Sequence, residues 1–172
     1  MAFALRAIPA QNDDEALARL SREMPGWRLE LDSDGSLLVS PTFSDSGPRD
    51  AEALVQLHAY AAVVGGKVFG SSSGFRLADN SVRSPDATWI SNEHLARLTS
   101  EQRSKFWRTC PDVVVDILSE TDVWPELLRK LDSYERNGAR YVIGIDPFER
   151  RVATRGTAPD GLVLDTEAIL SA

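Results

Sequence analysis

Residues 111–134 read PDVVVDILSETDVWPELLRKLDSY. The apolar run 113–118, broken only by Asp116, has the length and β-branched content of a strand covered on both faces. A polar turn follows at 119–122. Val123, Leu127, Leu131 and Tyr134 then recur at helical spacing. Pro125 suits a first helical turn, so the helix is expected to start near Trp124, and Asn137-Gly138 ends it. Strand alternation puts Asp116 with Asp112, Val114 and Leu118, opposite Val113, Val115 and Ile117. A carboxylate in such a strand is costly unless it is paired or bound to a cation.

Working outward, residues 141–145 read as a further strand, ended by the Asp146-Pro147 turn. Upstream, Pro85-Asp86 opens a strand at 87–90 that is expected to lie beside 113–118. Residues 67–77 hold two short strands around a glycine-serine turn, and 51–64 has helical periodicity through Leu54, Leu57, Ala61 and Val64. Residues 27–31 alternate, with Arg28 and Glu30 opposite Trp27, Leu29 and Leu31. Ser33-Asp34-Gly35 turns this strand into Leu37-Leu38-Val39, giving an N-terminal hairpin. A short helix at 13–22 is expected with Asn12 as its cap, and residues 1–10 read as a loose arm. The segment 78–84 is polar, and 151–154 with 162–164 are expected to finish the sheet. The pattern predicts a single α/β or α+β domain over 1–172, with a mixed central sheet flanked by helices.

The chain has 172 residues and a formal net charge of −7, a balance that opposes indiscriminate attraction to a polyanion. One cysteine, Cys110, excludes an intrachain disulfide and a zinc ribbon. The apolar runs are too short for a membrane span, and the expected location is the cytoplasm. The stretch 70–74 lacks the spacing of a phosphate-binding P-loop, and no dinucleotide fingerprint is present.

Asp116, Asp86 and Lys130 carry the chemical interest. One explanation of Asp116 is an exposed strand end or a salt bridge to an arginine. The other makes Asp86 and Asp116 oxygen ligands of a hard divalent cation, Mg2+ or alternatively Mn2+. Lys130 shares a helical line with Glu126 and Tyr134, which a surface ion pair and an aromatic contact would explain. Alternatively, the strand-turn-helix return carries its ammonium over the end of the Asp116 strand, where it would offset phosphoryl charge. Arg28, Arg83 and Arg129 are candidate phosphate contacts, and Ser119 suits a cap for the turn. His58 and His94 have no ligand pattern around them.

Pro85-Asp86, the run 111–119, Lys130, Tyr134, Gly138, Tyr141 and Asp146-Pro147 together resemble the small putative restriction-endonuclease family of the PD-(D/E)XK nuclease superfamily. Glu30, before the Asp34-Gly35 turn, resembles the acidic position of that family's hairpin. The resemblance implies a restriction-endonuclease-like fold and a metal-dependent phosphodiesterase acting on DNA. A homodimer is the expected assembly for such an enzyme, since paired sites would let it approach both strands. It makes Asp86 and Asp116 the acidic ligands, with the Ile117 carbonyl completing the shell. It places the catalytic lysine at Lys130, because Leu118 occupies the usual lysine position, and it brings Glu30 to the site. Ser119, Glu126 and Tyr134 are further supporting candidates, with core packing the other role for Tyr134. The chain departs from the family with aspartate at 116 where glutamate is commoner, Glu120 where proline is usual, and no match for a helix-start histidine. Two other functions remain open: a noncatalytic interaction protein on the nuclease fold, and a nucleotide or small phosphate-ester hydrolase.

Overall fold

A computed structural model describes residues 13–41, 44 and 46–172. The expected arm at 1–10 and the Asn12 cap lie outside the described residues. The first helix, α1 (Asp14–Glu23), is capped by the Asp13 side chain, which accepts from the Ala16 amide.

Five strands form the central sheet: β3 (Lys67–Gly70), β6 (Ala87–Ile90), β7 (Val113–Ile117), β8 (Tyr141–Asp146) and β9 (Arg151–Gly156). Their spatial order is β3-β6-β7-β8-β9. β7 runs parallel to β8 and antiparallel to β6, with Thr88 opposite Val114 and Asp116 opposite Gly144. The sheet is therefore mixed. The parallel pair requires a crossover, and α4 (Trp124–Arg136) supplies it.

Helices cover both faces, so β7 is buried along its whole length. Val113, Val115 and Ile117 pack with Leu57 of α2 (Gly47–Val64) and Ile169 of α5 (Thr166–Ser171). Val114 and Leu118 pack with Leu127, Leu131 and Tyr134 of α4. Gly144 lets α4 approach closely, since a Cβ there would lie 2.7 Å from Leu131 Cδ1.

The second sheet has the order β2-β1-β5-β4, built from β1 (Trp27–Leu31), β2 (Leu37–Pro41), β4 (Phe75–Arg76) and β5 (Val82–Arg83). β1 and β2 pair antiparallel, and Gly35 at φ +90° turns the chain between them. Leu29 and Leu31 pack on Leu17, Met24 and Val82. Arg28 and Glu30 consequently project from the opposite face of β1.

Several expectations change. The segment 78–84 contains β5, which pairs with β1 and β4; two residues are too few to show alternation. α2 starts at Gly47 with Pro48 in its first turn, four residues before the apolar periodicity begins. Val64 and Val123 are exposed rather than packed, because each lies at a helix end beyond the covered surface. Residues 162–164 form no strand. Leu162 and Leu164 instead pack into the core, and the Asp165 side chain caps α5.

Candidate functional site

The site lies where the face of β1 carrying Arg28 and Glu30 meets the end of β7 and the start of α4. Asp86 comes from the residue before β6, Asp116 from β7 and Lys130 from the second turn of α4. Antiparallel β6–β7 pairing brings the first two together: the Ile117 amide donates to Asp86 Oδ2 at 2.7 Å. The α4 crossover folds Lys130 back over this strand end, 3.1 Å from Asp116 Oδ2 and 3.1 Å from Glu30 Oε2. Three acids and the amine from four segments thus share one cleft of about 570 Å³. A surface pair between Lys130 and Glu126 does not form; Glu126 meets Arg129 instead, and both are exposed.

Each acid has a different environment. Glu30 Oε1 accepts the Ser84 amide at 2.6 Å. Burial pushes its carboxyl up, but Lys130, Arg83 and the Ser84 amide outweigh this and hold it below the ordinary range. Asp86 Oδ1 meets the Arg28 guanidinium at 2.8 Å. Burial raises the Asp86 carboxyl to about 7 against the attraction of Arg28, with Asp116 and Asp50 adding to the rise. Asp116 is 2% exposed. Neither of its oxygens has a hydrogen-bond partner among the described residues, the Lys130 contact being an ion pair without hydrogen-bond geometry. Burial opposes the Lys130 charge, yet Asp116, Glu30 and Asp86 more than offset it, so its pKa is raised.

Sequence reading missed Asp50, whose charge interacts with Arg28 and Asp116. It lies in the first turn of α2 and its Oδ1 is buried with no hydrogen-bond partner among the described residues. Burial raises its carboxyl to about 6, Arg28 opposes that rise, and Asp116 adds to it. The available signal was Pro48 followed by an acid, a pattern of helix starts.

The other candidates have distinct places. Arg83 is buried and donates to Asp32 at 2.8 Å, while its Nε has no hydrogen-bond partner among the described residues. Arg129 lies exposed on the rim. Ser119 caps its turn through Asp122, its amide at 3.0 Å and its hydroxyl at 2.6 Å from Oδ2. Tyr134 is fully buried, and its hydroxyl has no hydrogen-bond partner among the described residues. Burial, followed by Asp116 and Glu30, pushes that hydroxyl well above its ordinary pKa. Outside the cleft, burial drives the Cys110 thiol up to about 12, which leaves it neutral. His58 is exposed, and His94 contacts Asp112 and Thr109 at 3.1 and 2.7 Å.

Among the described residues, no group of three or more His, Cys, Asp and Glu side chains is arranged to hold a metal ion. The donor set still suits a hard cation in its chemistry. Asp116 presents two buried acceptor oxygens without hydrogen-bond donors among the described residues, and Asp86 adjoins it. Arg28 is the obstacle, since it already occupies Asp86.

The family model for Uma2, described as "Putative restriction endonuclease", matches residues 14–167. The chain belongs to this family. A solved structure of a putative nuclease belonging to DUF820 from Anabaena variabilis superposes with a TM-score of 0.60 at 15% identity, covering 84% of each chain. At that identity the likeness speaks for the fold. No curated protein matches. Membership in Uma2 supports a nuclease-like fold with the PD-(D/E)XK arrangement of strands and crossover helix. Among the described residues, no helix is long and apolar enough to cross a membrane.

Proposed function

We propose that this Uma2 protein is a divalent-cation-dependent phosphodiester hydrolase of the endonuclease type, acting on DNA. The observation that carries the reading is the convergence of Asp86, Asp116 and Lys130, with the Asp116 oxygens buried and, among the described residues, lacking hydrogen-bond donors. Asp86 and Asp116 would hold Mg2+ or Mn2+, with the Ile117 carbonyl as a third oxygen. When bound, such a cation activates water and neutralises charge on the phosphoryl oxygens.

The chain's own groups do the rest. Lys130 remains an ammonium at neutral pH, because its acidic neighbours raise its pKa. It therefore acts as a charge and hydrogen-bond donor toward the phosphate, and not as a base. Glu30, held ionised by Lys130, Arg83 and the Ser84 amide, fixes the amine in place from across the cleft. Water adds to phosphorus and gives its proton to solvent, the bond to the leaving sugar oxygen breaks as that oxygen takes a proton from solvent, and the charge that builds up on the phosphoryl oxygens faces Lys130. Arg83 and Arg129 offer inner and outer contacts to flanking phosphates, and pairing of two chains would present two such sites to a duplex.

A noncatalytic reading has one observation in its favour: Arg28 and Lys130 already neutralise the acids without any cation. The two readings separate in a cleavage assay on single-stranded, duplex and structured DNA with Mg2+ or Mn2+. Hydrolysis is expected from the wild type and should fall at least about a hundredfold in D86N, D116N and K130A. Absence of cleavage on every substrate would favour the noncatalytic reading.

A further inference from the structure

Arg28 projects from β1 into the acid cluster, and its side chain is 26% exposed. Its Nη2 takes one oxygen of Asp86 at 2.8 Å, and the Ile117 amide takes the other at 2.7 Å. Each oxygen of the Asp86 carboxylate thus already has a donor from the chain itself. The charge of Arg28 also interacts with Asp116, Glu30 and Asp50. One guanidinium therefore serves several carboxylates, yet Asp116 and Asp50 Oδ1 are left without hydrogen-bond donors among the described residues. A planar fork cannot point at all of these oxygens at once, whereas a compact divalent ion accepts oxygens from several directions.

We propose that Arg28 is a built-in counter-ion, seated on Asp86 in the cation-free protein and withdrawn from it when a divalent cation binds. This inference rests on the cation-dependent reading given above. Without Arg28, Asp86 and Asp116 would repel each other in a buried setting. With Arg28 in place, the cleft folds without metal, and the cation must compete for Asp86. Asp50 offers the displaced guanidinium an acceptor oxygen, and the cleft surface offers it a substrate phosphate. Cation and phosphate would then favour each other's binding through Arg28, which is a reciprocal coupling.

The test is isothermal titration of Mn2+ into the wild type and R28Q, paired with the cleavage assay. R28Q is expected to bind Mn2+ about tenfold more tightly while losing stability in EDTA. Equal or weaker binding by R28Q, with a wild type that binds Mn2+ and cleaves, overturns this inference and leaves the parent reading standing. Failure of both proteins to bind Mn2+, with no cleavage, overturns both. Should R28Q fail to fold, a crystal structure of the wild type with Mn2+ decides the matter. Separation of Arg28 from Asp86 supports the proposal, and an intact contact overturns it.

Discussion

Lys130 joins two acids that reach it from different sheets, Glu30 from β1 and Asp116 from β7. Removing it strands both carboxylates in a buried setting. K130A should therefore lose about 3 kcal/mol of stability in urea unfolding, and an unchanged midpoint would show that the amine contributes nothing to the fold. Asp86 and Asp50 make a second residue-scale prediction. Their carboxyls rise to about 7 and about 6 in the folded protein, whereas both ionise near pH 4 in an unfolded chain. Between these limits the folded state holds protons that the unfolded state has lost, so stability falls as pH rises. Glu30 shifts the other way, but its change lies below this window. In EDTA, the Tm should drop between about pH 5 and about pH 7.5, and D50N should flatten that slope. A Tm that climbs across this interval would contradict the burial assigned to both acids.

At the scale of elements, α4 aims the site because it packs directly on β8 over Gly144. A side chain there would press on Leu131 and on Leu127, whose Cδ2 lies 3.3 Å from the added Cβ. G144V is expected to cost about 2 kcal/mol and to lower cleavage through displacement of Lys130. Urea unfolding and kcat measured together test this, and a stable variant with full activity would show that α4 need not be so close. β7 and α4 were legible in the sequence because each carries a clear pattern: the apolar run 113–118, interrupted only at Asp116, and the spacing of Leu127, Leu131 and Tyr134. Asp116 and Lys130 lie on those patterns and Asp86 opens the strand at 87–90, which is why the three could be proposed together from the sequence. Asp50 could not, since the first turn of α2 is polar and its periodicity starts later. β5 was too short to alternate, and α5, with six residues, was too short to show a helical period. The Arg28–Asp86 pair spans 58 residues and two sheets, so no local spacing encodes it.

For the whole molecule, a net charge of −7 means that affinity for a polyanion must be created locally. DNA binding should accordingly be weak in EDTA and strengthen when Ca2+ is added, with a shallow dependence on salt because the basic groups lining the cleft are largely paired with its own acids. Fluorescence anisotropy checks this, and equally tight binding in EDTA would point to a basic surface elsewhere. The fold brings two sheets against one crossover helix, and the cleft between them is where a cation and a phosphate would meet. The most direct measurement compares the wild type with D116N, shown by circular dichroism to be folded, for Mn2+-dependent cleavage of DNA. The account predicts hydrolysis by the wild type that disappears in EDTA and in D116N. Equal cleavage by the two proteins, or cleavage that persists in EDTA, would contradict it.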